Sequence, residues 1–184
     1  QLVTEVTSLS DKLHLEIYEL EKDLEESKKY HVDKAPSFLV AAYDHGKIVD
    51  RGIRYLGIPA GHEFTSLIRD ILMVSSGDSG LQPATREFLA GLKSPITLQV
   101  FVTPTCPYCP QAVVLAHQMA MESPMVEAEM VEAMEFPELS ARHKVSGVPH
   151  TVINGGDSEL IGAAPEQYLM EKIREALSLQ PSEN

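Results

Sequence analysis

The chain is short of three things. It has two cysteines in 184 residues, 15 basic side chains against 27 acidic ones, and no apolar run near the ~18 residues that a membrane-crossing helix needs. Two cysteines are too few for a disulfide-rich secreted scaffold. A net charge of −12 argues against nucleic acid as a partner, because a phosphate backbone would be repelled rather than neutralised. Without a long apolar run, no membrane-spanning helix is expected. No signal-peptide pattern is visible either, although the chain opens at Gln1 rather than at a methionine. The seven histidines form no His-x₃₋₅-His pair in a zinc-finger context, which leaves structural zinc short of ligands. What remains is ordinary for a globular protein: 43% apolar and 23% charged residues, enough for one large domain or two small ones.

Both cysteines fall in one tetrapeptide, Cys106-Pro107-Tyr108-Cys109. It stands between an apolar strand-like run over 96–102 and a helix-like run over 111–121. Two cysteines at i, i+3 can close a small disulfide ring or reopen as a dithiol. A helix N-terminus adds free N–H groups and partial positive charge, which stabilise a thiolate. Half a zinc site and a purely structural disulfide are the competing readings. The second is weak, because a four-residue loop restrains the unfolded chain little. Redox use is favoured over both. Position then assigns the roles. Cys106, on the N-cap side and the more exposed, is expected to be the nucleophile, and Cys109, one turn inside, the resolving thiol. Pro107 is expected to fix φ early in the helix, and Tyr108 to pack its ring beside the sulfurs. The redox group is then the Cys106–Cys109 disulfide itself, with no further cofactor and no metal.

A second element is Val148-Pro149, just ahead of an apolar strand. A cis bond is expected there, leaving neighbouring backbone groups free to pair with an extended substrate beside the sulfurs. His150 follows directly. Two readings stay open for it: an imidazole close enough to tune the thiolate, or a side chain on the strand's far side.

The chain also repeats itself. Residues 13–36 align with 126–149 at an offset of 113, with six identities in 24 positions, more than chance easily supplies. Past the prolines the match resumes at an offset of 105, where Leu56, Gly57, Ile68 and Arg69 meet Ile161, Gly162, Ile173 and Arg174. The eight-residue difference predicts a longer hairpin in the first copy. Each copy reads as a strand (13–20; 126–132), a charged helix (21–30; 137–144), a proline, a hairpin and a closing amphipathic helix (61–74; 165–179). The hairpins are predicted to turn at Asp44-His45-Gly46 and at Asn154-Gly155-Gly156-Asp157. Residues 77–94 read as a linker with a short helix over 83–92. Only the second copy contains a strand and a CxxC ahead of its repeat. The expected organisation is therefore an incomplete unit over 1–76, the linker 77–94, and a complete unit over 95–184. On this reading the chain belongs to a longer polypeptide and starts within the first copy's leading helix.

Strand, Cys-Pro-Tyr-Cys, helix and then Gly147-Val148-Pro149 together resemble the thioredoxin superfamily, and the tetrapeptide is the one typical of glutaredoxins. Two longer runs are similar to the tandem, glutaredoxin-like protein disulfide oxidoreductases of thermophilic archaea and bacteria: Gly57-Ile58-Pro59-Ala60-Gly61-His62-Glu63-Phe64 and residues 102–110. The resemblance implies an α/β chain of two tandem thioredoxin-like folds, each a mixed sheet flanked by helices, the first incomplete at its N-terminus. It implies thiol–disulfide exchange on protein disulfides in the cytoplasm, fed by a thioredoxin-reductase-type flavoprotein. The runner-up is an electron-relay module serving a peroxiredoxin and flavoprotein reductase system; a glutaredoxin proper is a third reading. The sequence departs from thioredoxins in one respect. Val100 stands six residues before Cys106, where they keep a buried acid, so the Cys109 proton is expected to leave through water or another carboxylate.

Overall fold

The computed structural model describes residues 1–179, so the last five residues of the expected 95–184 unit lie outside it. Its centre is a six-stranded mixed sheet in the order β1-β4-β6-β5-β7-β8. These strands are β1 (Ser37–Leu39), β4 (Ile53–Leu56), β5 (Ile96–Val102), β6 (Val126–Glu132), β7 (His150–Ile153) and β8 (Ser158–Ile161). A separate hairpin joins β2 (Ala42–Asp44) to β3 (Lys47–Val49). The helices are α1 (Leu2–Thr7), α2 (Leu24–Lys29), α3 (Phe64–Ser76), α4 (Pro83–Ala90), α5 (Cys109–Glu122), α6 (Pro137–Arg142) and α7 (Glu166–Leu179), and a 3-10 turn over Gly61–Glu63 leads into α3. No described helix is long and apolar enough to cross a membrane.

Strict alternation along β5 explains the layering. Ile96, Leu98, Val100 and Val102 are buried in one large core with side chains of α3, α4, α5 and α7. Phe101 faces the other way, into a smaller core with Val131, Val152 and Leu139 of α6. Strands β4, β5 and β6 run parallel; β4 is buried along its whole length, while β5 and β6 alternate at their starts and are buried at their ends.

The internal repeat is visible in backbone detail. Ala35–Pro36 and Val148–Pro149 are both cis. His31 and Lys144 both have positive φ, and the next residues, Val32 and Val145, donate to the carbonyls of Ser27 and Ser140. Gly57 donates to the Pro36 carbonyl at 2.9 Å, and Gly162 to that of Pro149 at 2.8 Å. The pairing Ser37↔Leu56 is matched by His150↔Ile161. The eight-residue difference between copies is the length of the β2–β3 hairpin, residues 42–49. Its turn is at His45 and Gly46, both at positive φ, as hairpin turns of this length require.

One predicted strand does not form. Residues 13–20 show period-2 apolarity but take up no regular structure, with Leu15 and Ile17 exposed. Among the described residues no strand pairs with this segment, and alternation without a partner does not make a strand.

The copies are joined through the sheet by the parallel pairing of β4 with β6, from Ile53↔Ala128 to Leu56↔Val131. Gly52 guards this junction. It lies at φ +72°, and a Cβ there would stand 2.6 Å from the Val126 carbonyl oxygen. Gly52→Ala is expected to lower stability to urea by several kcal/mol, because backbone must move. Gly77→Ala, at φ +71° with open space around it, should cost only about 1 kcal/mol. Equal losses at the two sites would contradict a tight β4–β6 seam.

Candidate active site: a disulfide at the inter-unit seam

The disulfide closes Cys106 to Cys109, with Cα atoms 5.5 Å apart, in the turn between β5 and α5. Cys106 retains 8% exposure and Cys109 none, so an incoming sulfur can reach only Cys106. The Cys109 N–H donates to Cys106 Sγ at 3.1 Å. That donor sits at the start of α5, where N–H groups lack intrahelical partners, and it favours negative charge on Cys106. Helix α5 starts at Cys109, two residues ahead of the run read from sequence, so Cys109 is its first residue and not one turn inside it. Pro110, not Pro107, occupies its first turn, while Pro107 lies in the preceding turn. The Tyr108 ring is 68% exposed and does not pack into the core beside the sulfurs.

Pro149 is buried, and Val148 packs against the core that contains both cysteines. His150 is placed elsewhere. It pairs with Phe101 across β5 and β7, so its ring lies on the sheet face opposite α5. There its Nε2 meets Glu159 Oε2 at 2.9 Å. The structure therefore gives His150 no contact with the sulfurs.

A carboxyl comes instead from the first copy. Gly61 and His62 press on the loop before the cysteines: the His62 N–H donates to the Pro104 carbonyl at 3.0 Å, and a Cβ on Gly61 would fall 2.3 Å from the same oxygen. Two helical turns on, Asp70 of α3 meets His117 of α5 at 2.6 Å. These two contacts make α3 and α5 run side by side in the same direction. The turn over Gly61–Glu63 packs against α5, and counting seven residues back from each partner makes Pro110, next to Cys109, the expected neighbour of Glu63.

Glu63 is 1% exposed, accepts from the Ser66 hydroxyl at 2.7 Å, and leaves Oε1 without a partner among the described residues. Burial pushes its pKa from the ordinary 4.5 up to about 7; Ser66 and His117 oppose this shift, and Asp70 adds to it. A second carboxyl, Glu132 at the end of β6, is also raised by its burial. It accepts from the Glu135 N–H at 2.6 Å and so braces its own loop. Neither acid can be assigned from sequence. Glu63 is visible there only within the run 57–64, and its relation to Cys109 depends on how α3 lies against α5.

The residues 96–175 match the thioredoxin domain family. The thioredoxin of Methanocaldococcus jannaschii is 38% identical over 85 residues, covering 46% of this chain and 99% of that protein. The solved alkylhydroperoxide reductase AhpF of Enterococcus faecalis superposes with a TM-score of 0.84 at 31% identity, over 94% of this chain and 80% of that one. A protein disulfide oxidoreductase from Aeropyrum pernix superposes with a TM-score of 0.78 at 32% identity, over 87% of this chain and 67% of that one. The corresponding alkyl hydroperoxide reductase polypeptide of Staphylococcus aureus is 27% identical over 84% of this chain, which spans only 27% of that protein's length. The chain belongs to the thioredoxin family. With its CxxC disulfide at the head of α5, it is a thioredoxin-like disulfide oxidoreductase.

Glu63 ties stability to pH. Between its ordinary pKa of 4.5 and about 7, the folded protein holds a proton that the unfolded chain has released. Stability should therefore fall as pH rises through that window, by roughly 2–3 kcal/mol. Urea unfolding of the oxidised protein at pH 4.5 and pH 8 measures this fall. Glu63→Gln should remove this part of the slope, and a slope unchanged in that variant would mean that Glu63 titrates normally.

Proposed function

We propose that this chain exchanges its Cys106–Cys109 disulfide with the disulfides of other proteins, and that Glu63 receives the Cys109 proton. The observation that carries this reading is the asymmetry of the pair: an accessible Cys106 facing a backbone donor, and a sealed Cys109 at the head of α5, the helix against which the turn carrying the buried, high-pKa Glu63 packs.

In the reducing direction the Cys106 thiolate attacks one sulfur of the substrate disulfide. One S–S bond breaks, the mixed disulfide forms, and the first substrate thiolate leaves. Cys109 then gives its proton to Glu63, and its thiolate attacks Cys106 Sγ. The Cys106–Cys109 bond closes, and the second substrate thiolate leaves. The substrate gains two electrons and, with protons from Glu63 and water, two thiols. No bound cofactor or metal enters the cycle, so the dithiol must be regenerated by another protein; a thioredoxin-reductase-type flavoprotein suits that task. Pro107, Val148 and Pro149 support the site, Val148 by packing against the core that includes both cysteines. In this reading residues 1–76 form an incomplete thioredoxin-like unit that supplies the acid, 77–94 connect, and 95–184 form the redox unit. The cytoplasm, where thiols are kept reduced, is the compartment it fits.

The superposition on the alkylhydroperoxide reductase AhpF favours a second reading, in which the same chemistry relays electrons from a flavoprotein to a peroxiredoxin. The two readings differ in substrate. Dithiothreitol-driven reduction of insulin supports a general protein-disulfide reductase; reduction of a peroxiredoxin with insulin left untouched supports the relay.

The assignment of roles has its own test. Cys109→Ser should accumulate the mixed disulfide on Cys106, and Cys106→Ser should form none. Resolution by Cys109 needs Glu63 ionised, so its rate should rise with pH through about 7. Glu63→Gln should slow it about 10²-fold, the lower end of what a positioned base contributes, and flatten the profile. Stopped-flow resolution rates unchanged in Glu63→Gln would remove Glu63 from the mechanism.

A further inference from the structure

Of the run 57–64 the exchange reaction uses only Glu63, yet a tighter contact with the redox unit lies two residues earlier. Gly61 sits at φ +59°, and a Cβ on it would fall 2.3 Å from the Pro104 carbonyl oxygen and 3.0 Å from the carbonyl carbon. A side chain there would displace backbone, so the approach is open to glycine alone. The His62 N–H donates to the same oxygen at 3.0 Å. The arm that makes this contact is anchored on both sides. Ahead of it, the Gly57 N–H donates to the Pro36 carbonyl at 2.9 Å, the Ile58 N–H to Glu135 Oε1 at 2.8 Å, and Pro59 is buried. Beyond it, the chain enters α3, whose Leu67 is buried in the large core with side chains of α5.

The oxygen that is held has a particular place in the fold. The Cys106 N–H donates to the Thr103 carbonyl at 3.1 Å, which closes a β-turn over 103–106. Pro104 is the second residue of that turn, where its fixed φ is favoured, and Thr105 is the third. Thr105 is not in the left-handed region, so the turn is type I and not type II. The central peptide of a β-turn takes no part in the turn's own hydrogen bond. Here its carbonyl is that of Pro104, and the His62 N–H is the one backbone donor to it among the described residues. Holding that carbonyl fixes a peptide plane otherwise free to tilt. It thereby fixes the turn's last residue, Cys106.

The closed and open forms of the site depend on this turn to different extents. In the oxidised protein the S–S bond itself keeps Cys106 at the head of α5. Two electrons and one proton open that bond, leaving a Cys109 thiol and a Cys106 thiolate with nothing covalent between them. Cys106 Sγ then keeps the Cys109 N–H, 3.1 Å away, only while the turn stays in place. A hydrogen bond to an ionised acceptor is the stronger kind, so losing this position costs the reduced form more.

We propose that Gly61 is a positioning residue for the redox reaction: by letting the first copy grip the Pro104 carbonyl, it holds Cys106 against the head of α5 in the open site and so favours the reduced form. The proposal deepens the function assigned above and rests on Cys106 being the attacking thiolate.

Gly61→Ala should break the grip. Its Cys106–Cys109 couple, titrated in graded glutathione and dithiothreitol buffers at pH 7, should become more reducing by about 30 mV, a tenfold change in the equilibrium constant. Gly77→Ala is the control. It carries the same kind of backbone strain, at φ +71° with open space around it, and should keep the wild-type potential. A Gly61→Ala potential equal to that of wild type overturns the proposal. Wild-type protein decides the matter if the variant does not fold. Coupling between the grip and the redox state is reciprocal, so the His62 amide should exchange its hydrogen about tenfold more slowly in the reduced protein than in the oxidised one. Equal exchange in the two states, or faster exchange in the reduced one, overturns the proposal as well. Neither readout needs a substrate. If Cys109→Ser traps no partner on Cys106, the attacking role falls and the proposal with it; trapping alongside an unmoved potential removes the positioning role alone.

Discussion

The parallel pairing of β4 with β6 is the constraint on which the rest depends. It makes one sheet of two copies and fixes their registers, with Tyr55 beside Met130 and Leu56 beside Val131. Because β4 then runs parallel to β5 as well, the helix after β4 must run alongside the helix after β5. That brings α3 against α5, residues 57–62 over the loop that leads to the cysteines, and Glu63 and Asp70 into the interior.

The seam is polar on both sheet faces, unusually for so buried a junction. On the α6 face Arg54, 2% exposed, reaches both oxygens of Asp50 at 3.0 and 2.7 Å and Glu127 at 3.1 Å. Burial would raise the Asp50 carboxyl, but the Arg54 guanidinium and the Gly52 N–H hold it below the ordinary value. On the α5 face stand Tyr55, Glu63, Asp70 and His117. Buried charges contribute little net stability, since desolvation offsets their attraction. They are better at rejecting wrong arrangements. A one-residue slip of β4 would send Arg54 into the apolar core under α5 and take the Tyr55 hydroxyl away from Asp70.

Much of the fold can be read from local pattern. Strands β5 and β6, the turn over 154–157, helix α7 and the cis bond before Pro149 follow from alternation, turn residues and the internal repeat. The eight residues of the β2–β3 hairpin are visible as a change of offset. The segment 13–20 misleads because period-2 apolarity reports a willingness to pair and not the presence of a partner. The cysteines and their order of exposure are equally legible. His150 is not, since both faces of β7 are buried and adjacency to Pro149 does not say which face a side chain takes. Glu63, Asp70 and His117 are the least legible. They are 7 and 47 residues apart in sequence, and an acid or a histidine in an amphipathic helix looks like any solvated residue until the opposing helix is placed.

Supplying the acid from the neighbouring copy has a physical consequence. In a single unit a buried base on the central strand would be as rigid as the sulfurs it serves; here the corresponding strand position is Val100, and the base rides on a different element. The proton affinity of Glu63 depends on how completely residues 57–63 cover it and on its distance from His117. The redox couple and its proton acceptor are thus separable in structure.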